Sequence, residues 1–152
     1  MSIKKVVRCK SKEDYMVSAG LFLKSDSMRI VTLAGTREQH RQIATKVNKL
    51  ELGADPDQDG VQAFCHTFRA FCADNAIDIV VTNRRATSGQ GAGGGATFRT
   101  EGILLTMCPC SIKFVHPATI RATDRKHSGL KSARPSTVDL SKAYDLAFEG
   151  LK

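Results

Sequence analysis

The residues with the clearest chemical potential lie between Ile77 and Leu105, where an apolar run gives way to Asn83, Arg84 and Arg85, then to a glycine-rich loop and a helix-like segment. Gly89-Gln90-Gly91-Ala92-Gly93-Gly94 matches the pattern G-x-G-x-x-G, whose glycines let backbone approach a pyrophosphate at a helix N-terminus. A dinucleotide site also needs the first glycine directly after the strand and an acid at the end of the next one. Here Asn83 to Ser88 intervene, and the next apolar run ends in Val115-His116. No Gly-Lys-Ser/Thr follows, so a P-loop is not expected either. Two readings stay open: Gly91, Gly93, Gly94 and Gly95 offer free amides to a phosphate, or they connect strand and helix over the sheet.

Five cysteines, Cys9, Cys65, Cys72, Cys108 and Cys110, form an odd set without the spacing of a disulfide scaffold. They read as small buried hydrophobes of a reducing compartment. Cys108, Cys110 and His116 form a zinc-like grouping, but it lacks the paired C-x-x-C of structural sites, and no metal site is expected from it.

The 152 residues carry a net charge of +8, with 41% hydrophobic and 25% charged residues. These values describe one globular domain, and no apolar run approaches the roughly 18 residues of a membrane span. The segment MSIKKVVRCK has no apolar stretch after its lysines, so the expected compartment is the cytoplasm. A positive surface attracts polyanions without regard to sequence. From Met107 to Arg134, Lys113, Arg121, Arg125, Lys126, Lys131 and Arg134 face only Asp124, as on a surface that binds a phosphate backbone.

The elements that would hold these groups follow from periodicity. Ile3–Val7 and Tyr15–Leu23 read as an opening hairpin turned at SKED, with Met28–Leu33 a further strand. Thr36 and Gln39 resemble a capping box, so Thr36–Leu52 reads as a short helix or loop and then a strand. After the turn GADPDQDG, Val61, Phe64, Cys65, Phe68, Phe71 and Cys72 recur at helical spacing behind a cap at Asp57 or Asp59. His66 lies off that face and reads as solvated. Ile77–Thr82 is a strand of the doubly covered type. Thr97–Met107 reads as a helix with Phe98, Ile103 and Leu104 or Leu105 inward, and Ile112–Val115 as the next strand. Pro117 opens a short helix, DRKHSGLKSARP reads as a polar loop, and Ser136 or Thr137 caps a last helix burying Ala143, Tyr144, Ala147, Phe148 and Leu151. The order implies a mixed α/β sheet with flanking helices.

The stretches IDIVVTNRRATSGQGAGGGATFRTEGILL, IKFVHPATIRAT and LSKAYDLAFEGL resemble the ribonuclease H-like superfamily, in its RuvC-resolvase-like branch, and more closely a small uncharacterised bacterial family of that fold. The resemblance spans Ala63 to Leu151 and implies a single domain with three antiparallel strands followed by parallel ones, KVNKLEL as the third strand, and an insertion at about 33–45. Superfamily enzymes hold two divalent ions with carboxylates from the first strand, the end of the fourth strand and the last helix. The resemblance puts Arg8 and Cys9 in the first strand and Asn83, Arg84 and Arg85 at the fourth-strand end, where acids are expected. Glu101 and Asp145 (with Asp139 a further acid) are the remaining catalytic candidates.

The reading that follows is a nucleic-acid-binding protein with a degenerate metal site and no nuclease activity, contacting phosphates through Arg84, Arg85, Arg99, Lys113, Arg121, Arg125, Lys126 and Lys131. With no Trp and two Tyr, stacking platforms for single strands are scarce, so duplex or junction shape is the expected target. No cofactor is expected, with Mg²⁺ implied only if Glu101 and Asp145 are catalytic. The alternatives are a protein-binding or homodimeric scaffold and a Mg²⁺-dependent structure-specific nuclease.

Overall fold

The structure is a computed structural model that describes residues 15–84 and 94–152. Strand β1 (Met16–Lys24) turns through Ser25 and Asp26 into β2 (Ser27–Gly35), and the two pair antiparallel from Met16 opposite Gly35 to Lys24 opposite Ser27. The hairpin partner of the Tyr15–Leu23 segment is therefore the strand after it. The other edge of β1 is taken by β5 (Ile79–Asn83), parallel, so β1 is central; Ile3–Val7 lies outside the described residues.

The segment after β2 forms strands where a helix or loop followed by a strand was expected. Strand β3 (His40–Ile43) and the short β4 (Lys49–Glu51) both pair antiparallel with the outer edge of β2 and divide its length between them. The Thr36/Gln39 pair does form reciprocal bonds, but in a tight turn. The Gln39 amide donates to Thr36 Oγ1 at 3.1 Å and the Thr36 amide donates to the Gln39 carbonyl at 2.8 Å. KVNKLEL supplies β4 as expected, and residues 40–43 of the presumed insertion belong to the sheet.

Helix α1 (Gln58–Asp74) starts at Asp57, whose carboxylate accepts from the Gly60 amide at 2.8 Å, and buries Phe64, Phe68, Phe71 and Cys72. Helix α2 (Gly95–Met107) links β5 to the parallel edge strand β6 (Ser111–Val115). It turns Thr97, Thr100, Leu104 and Met107 inward and leaves Leu105 55% exposed. Its buried face is thus displaced from the expected one, because half of it packs as threonine. The sheet order is β3-β2-β1-β5-β6, with β4 beside β2.

Pro117 opens helix α3 as expected, but the helix runs to His127 and absorbs the first third of the polar loop. A 3₁₀ turn (Ser128–Leu130) and helix α4 (Val138–Glu149) complete the chain. Alternate residues of β1 meet different helices. Val17, Ala19, Leu21 and Leu23 join the cluster of α1 and α2, whereas Met16 and Phe22 join clusters formed by α4. Both sheet faces are covered, which explains the near-continuous apolar strands.

Buried Tyr144 on α4 ties the β2–β3 turn to this layer. His40 Nδ1 lies 3.1 Å from the carbonyls of Thr36 and Arg37, so it carries the proton and Nε2 accepts from the Tyr144 hydroxyl at 2.6 Å. Burial pushes that hydroxyl up to about 12, keeping it a donor. Tyr144→Phe is expected to cost about 1 kcal/mol in urea denaturation, the value of one lost neutral hydrogen bond.

Candidate nucleic-acid interface

The C-terminal ends of β5 and β6 are aligned by their parallel register, which sets Asn83 opposite Val115 and lets the Arg84 amide donate to the Val115 carbonyl at 2.9 Å. Parallel pairing to β5 carries the end of β1 to the same side, where the Leu23 amide donates to Asn83 Oδ1 at 3.4 Å. Helix α4 crosses behind these ends and α3 begins directly after β6. Between them opens a cleft of about 340 Å³ lined by Phe22, Asn83, Val115, Ile120, Arg121, Lys142, Asp145 and Leu146, with Pro117 at its side.

The floor is apolar and the charged groups come from α3 and α4. Lys142 and Asp145 stand three apart on α4, so both reach the same wall. The Lys142 ammonium lies 4.8 Å from the centroid of Phe22, a cation–π contact across the cleft. Exposed Arg121 faces in from α3.

Asp145 is already occupied by cations. Its Oδ1 accepts from Lys131 Nζ at 2.9 Å, Arg134 Nη2 at 2.6 Å and Arg134 Nε at 3.0 Å. The same two cations bind Asp124 Oδ1 at 2.6 Å from Lys131 and 2.9 Å from Arg134. The Lys131 side chain is 1% exposed and its ammonium also sits 4.8 Å from the Phe148 ring. Burial pushes the Asp124 carboxyl upward, but the hydrogen bonds and charges of Lys131 and Arg134 outweigh it and hold the group below its ordinary value. Two acids and two bases thus close a neutral network that anchors residues 131–134, within the segment read as a polar loop.

The predicted residues divide accordingly. Arg84, Arg121, Arg125 and Lys126 are exposed, Arg84 stacking over Phe114 at 5.3 Å. Lys113 and Arg99 are exposed but donate to the backbone carbonyls of Glu149 at 3.3 Å and Ala54 at 3.2 Å. Lys131 is withdrawn from solvent altogether. Arg85, Gly91 and Gly93, like Arg8 and Cys9, lie outside the described residues. Gly94 caps α2 and Gly95 opens it, both exposed. Glu101 is half-buried on α2, on the sheet face opposite α4, and does not line the cleft that contains Asp145. Asp139 pairs with Lys24 at 3.6 Å. Sequence reasoning missed Lys142 and Phe22, and it put Arg134 on a phosphate-binding surface where the structure turns it onto Asp124 and Asp145. Lys142 was detectable as the i−3 neighbour of Asp145, whereas Phe22 reads simply as a strand hydrophobe.

His116 caps α3 at the far end of β6 from Cys108 and Cys110, so those three do not form a zinc site. Among the described residues no group of three or more His, Cys, Asp or Glu is arranged to hold a metal ion, and no helix is long and apolar enough to cross a membrane.

Comparison with solved structures shows the fold. A Thermus thermophilus RuvC structure superposes with a TM-score of 0.66 at 13% identity, covering 88% of this chain and 92% of that one. T. thermophilus RuvC in complex with a Holliday junction substrate gives 0.68 at 14% identity, covering 88% and 90%. The mixed sheet with flanking helices is therefore the ribonuclease H-like fold, as the sequence resemblance implied. No curated protein matches the chain. Residues 16–150 match the family described as "Protein of unknown function (DUF3010)", and the chain belongs to that family.

Proposed function

We propose that the protein binds nucleic acid through the cleft and its basic rim and does not cleave it. The observation that carries this reading is the state of Asp145: the one carboxylate among the described residues that line the cleft is neutralised by Lys131 and Arg134, while Arg121 and Lys142 remain exposed beside it. A pair of divalent ions needs carboxylates from the first strand, the fourth-strand end and the last helix. At the cleft these elements offer Phe22, Asn83 and the already paired Asp145. An apolar ring, a neutral amide and one carboxylate held by two cations do not fit Mg²⁺, and no step is assigned to a metal.

Phosphates would instead meet Arg121 and Lys142, with Arg84, Arg125 and Lys126 extending the surface. Such contacts position a backbone and carry no sequence information. The RuvC structure described as a complex with a Holliday junction makes a four-way junction a suitable probe beside plain duplex.

Filter binding of both DNAs across a salt series tests the reading. Affinity is expected at low salt and should fall as salt rises. An Arg121→Glu, Lys142→Glu double variant should bind at least about tenfold more weakly and lose about 2 from the log–log salt slope, roughly one per phosphate contact. Circular dichroism confirms that the variant is folded. Absent or salt-insensitive binding by the wild type refutes binding. Cleavage with Mg²⁺ or Mn²⁺ that Asp145→Asn abolishes refutes the non-catalytic part.

A further inference from the structure

A second cluster of reactive side chains lies at the opposite end of the sheet from the cleft. Cys108 caps the C-terminus of α2, with its amide donating to the Leu104 carbonyl at 2.9 Å. Cys110 immediately precedes β6, and Cys72 stands in the last turn of α1. Helices α1 and α2 pack on the same sheet face, which brings the three together in one cluster. The Sγ atoms of Cys108 and Cys110 are 3.6 Å apart. Cys72 is 4% exposed, whereas Cys108 and Cys110 are half-buried and all three are free thiols.

We propose that Cys108 and Cys110 form a peroxide-reactive dithiol, with Cys108 the attacking sulfur and Cys110 the resolving one. Three features support the assignment. First, the Cys110 thiol in contact with Cys108 favours the thiolate form of Cys108 and holds it below its ordinary value, while Cys110 itself is raised. Second, the resolving sulfur is already in contact. Third, Cys108 and Cys110 are two residues apart across a bend, so their Cα atoms stay within disulfide reach. The S–S separation still has to close from a non-bonded contact to a bond, a movement that rotation about χ1 can supply.

The chemistry balances with hydrogen peroxide as oxidant. The Cys108 thiolate attacks one peroxide oxygen; an S–O bond forms, the O–O bond breaks, and the departing hydroxide takes a proton from solvent as water. Cys110 then gives up its proton and attacks the sulfenic sulfur; an S–S bond forms, the S–O bond breaks, and the hydroxide leaves as a second water with that proton. The sulfurs lose two electrons and the peroxide gains them.

The test uses the full chain carrying Cys9→Ser, which removes a thiol outside the described residues. One equivalent of hydrogen peroxide at neutral pH should produce an intramolecular disulfide mapped by peptide mass to Cys108 and Cys110, reversible with dithiothreitol. Formation should be about tenfold faster than thiol loss in the urea-unfolded chain, as a stabilised thiolate requires. Cys110→Ser should let a dimedone-trappable sulfenic acid accumulate at Cys108, and Cys108→Ser should abolish fast consumption of peroxide. A folded-chain rate equal to the unfolded one, unchanged reactivity of Cys108→Ser, or a disulfide mapped to Cys72 overturns the proposal.

Discussion

Gly20→Ala is expected to destabilise the protein by roughly 3 kcal/mol, the upper end of the usual cost of inserting a carbon into a filled core. Gly20 lies in the middle of the central strand on the face that meets α4. A Cβ there would overlap the Ala143 carbonyl and the Ala147 amide nitrogen, which are backbone atoms of the helix and cannot rotate away. Either α4 lifts from the sheet or β1 bends. Lifting α4 would loosen Tyr144, Ala147 and Phe148, all fully buried. For a chain of this size the loss corresponds to a fall of about 10 °C in melting temperature. Gly102→Ala is the control, because nothing lies within 4 Å of a Cβ there. If Gly20→Ala melts with the wild type, the close approach of α4 to β1 is wrong.

Lys131→Met is expected to cost about 3 kcal/mol in urea denaturation, near the lower end for breaking a buried ion pair. The low end applies because Asp124 and Arg134 are each about one-third exposed and screened by water, at 35% and 32%. Methionine keeps most of the stem volume against Phe148, so the loss reports the missing charge: Asp124 and Asp145 would be left sharing Arg134. The network also predicts an acid limb. The folded Asp124 carboxyl lies below its ordinary value of 3.8, so its stabilising contribution is complete above the unfolded value and is lost as pH falls through the folded one. Denaturation midpoints followed from pH 5 to pH 2 should therefore fall less steeply in Asp124→Asn than in the wild type. A parallel fall in both proteins would exclude Asp124 from the acid transition.

This network also separates binding from folding. Lys131 and Arg134 belong to the locally basic stretch that suggested a phosphate-binding face, yet both hold acids of the fold itself. In the proposed reading, the surface left for a polyanion is narrower, centred on Arg121 and Lys142.

Sequence alone determined what depends on neighbours along the chain. The apolar face of α1 and a cap at Asp57 or Asp59, strands β5 and β6, the proline start of α3 and the buried face of α4 all follow from periodicity and local hydrogen bonding, within a turn or two of helix or strand; the structure chose Asp57. The resemblance carried by those same segments led to the ribonuclease H-like fold. Only the tertiary structure decided features that depend on which distant residues meet. β1 pairs with β2 on one edge and β5 on the other, so the hairpin partner of Tyr15–Leu23 is the strand that follows it. Thr36 and Gln39 bond each other in a turn because β2 offers residues 40–43 a sheet edge. Lys131 is buried because Asp124 and Asp145, on two different helices, converge on it. Phe22 meets Lys142 across a cleft built from three strand ends and two helices. Charge and spacing in one dimension do not record such meetings, because burial and pairing energies are set by the partner that packing brings into reach.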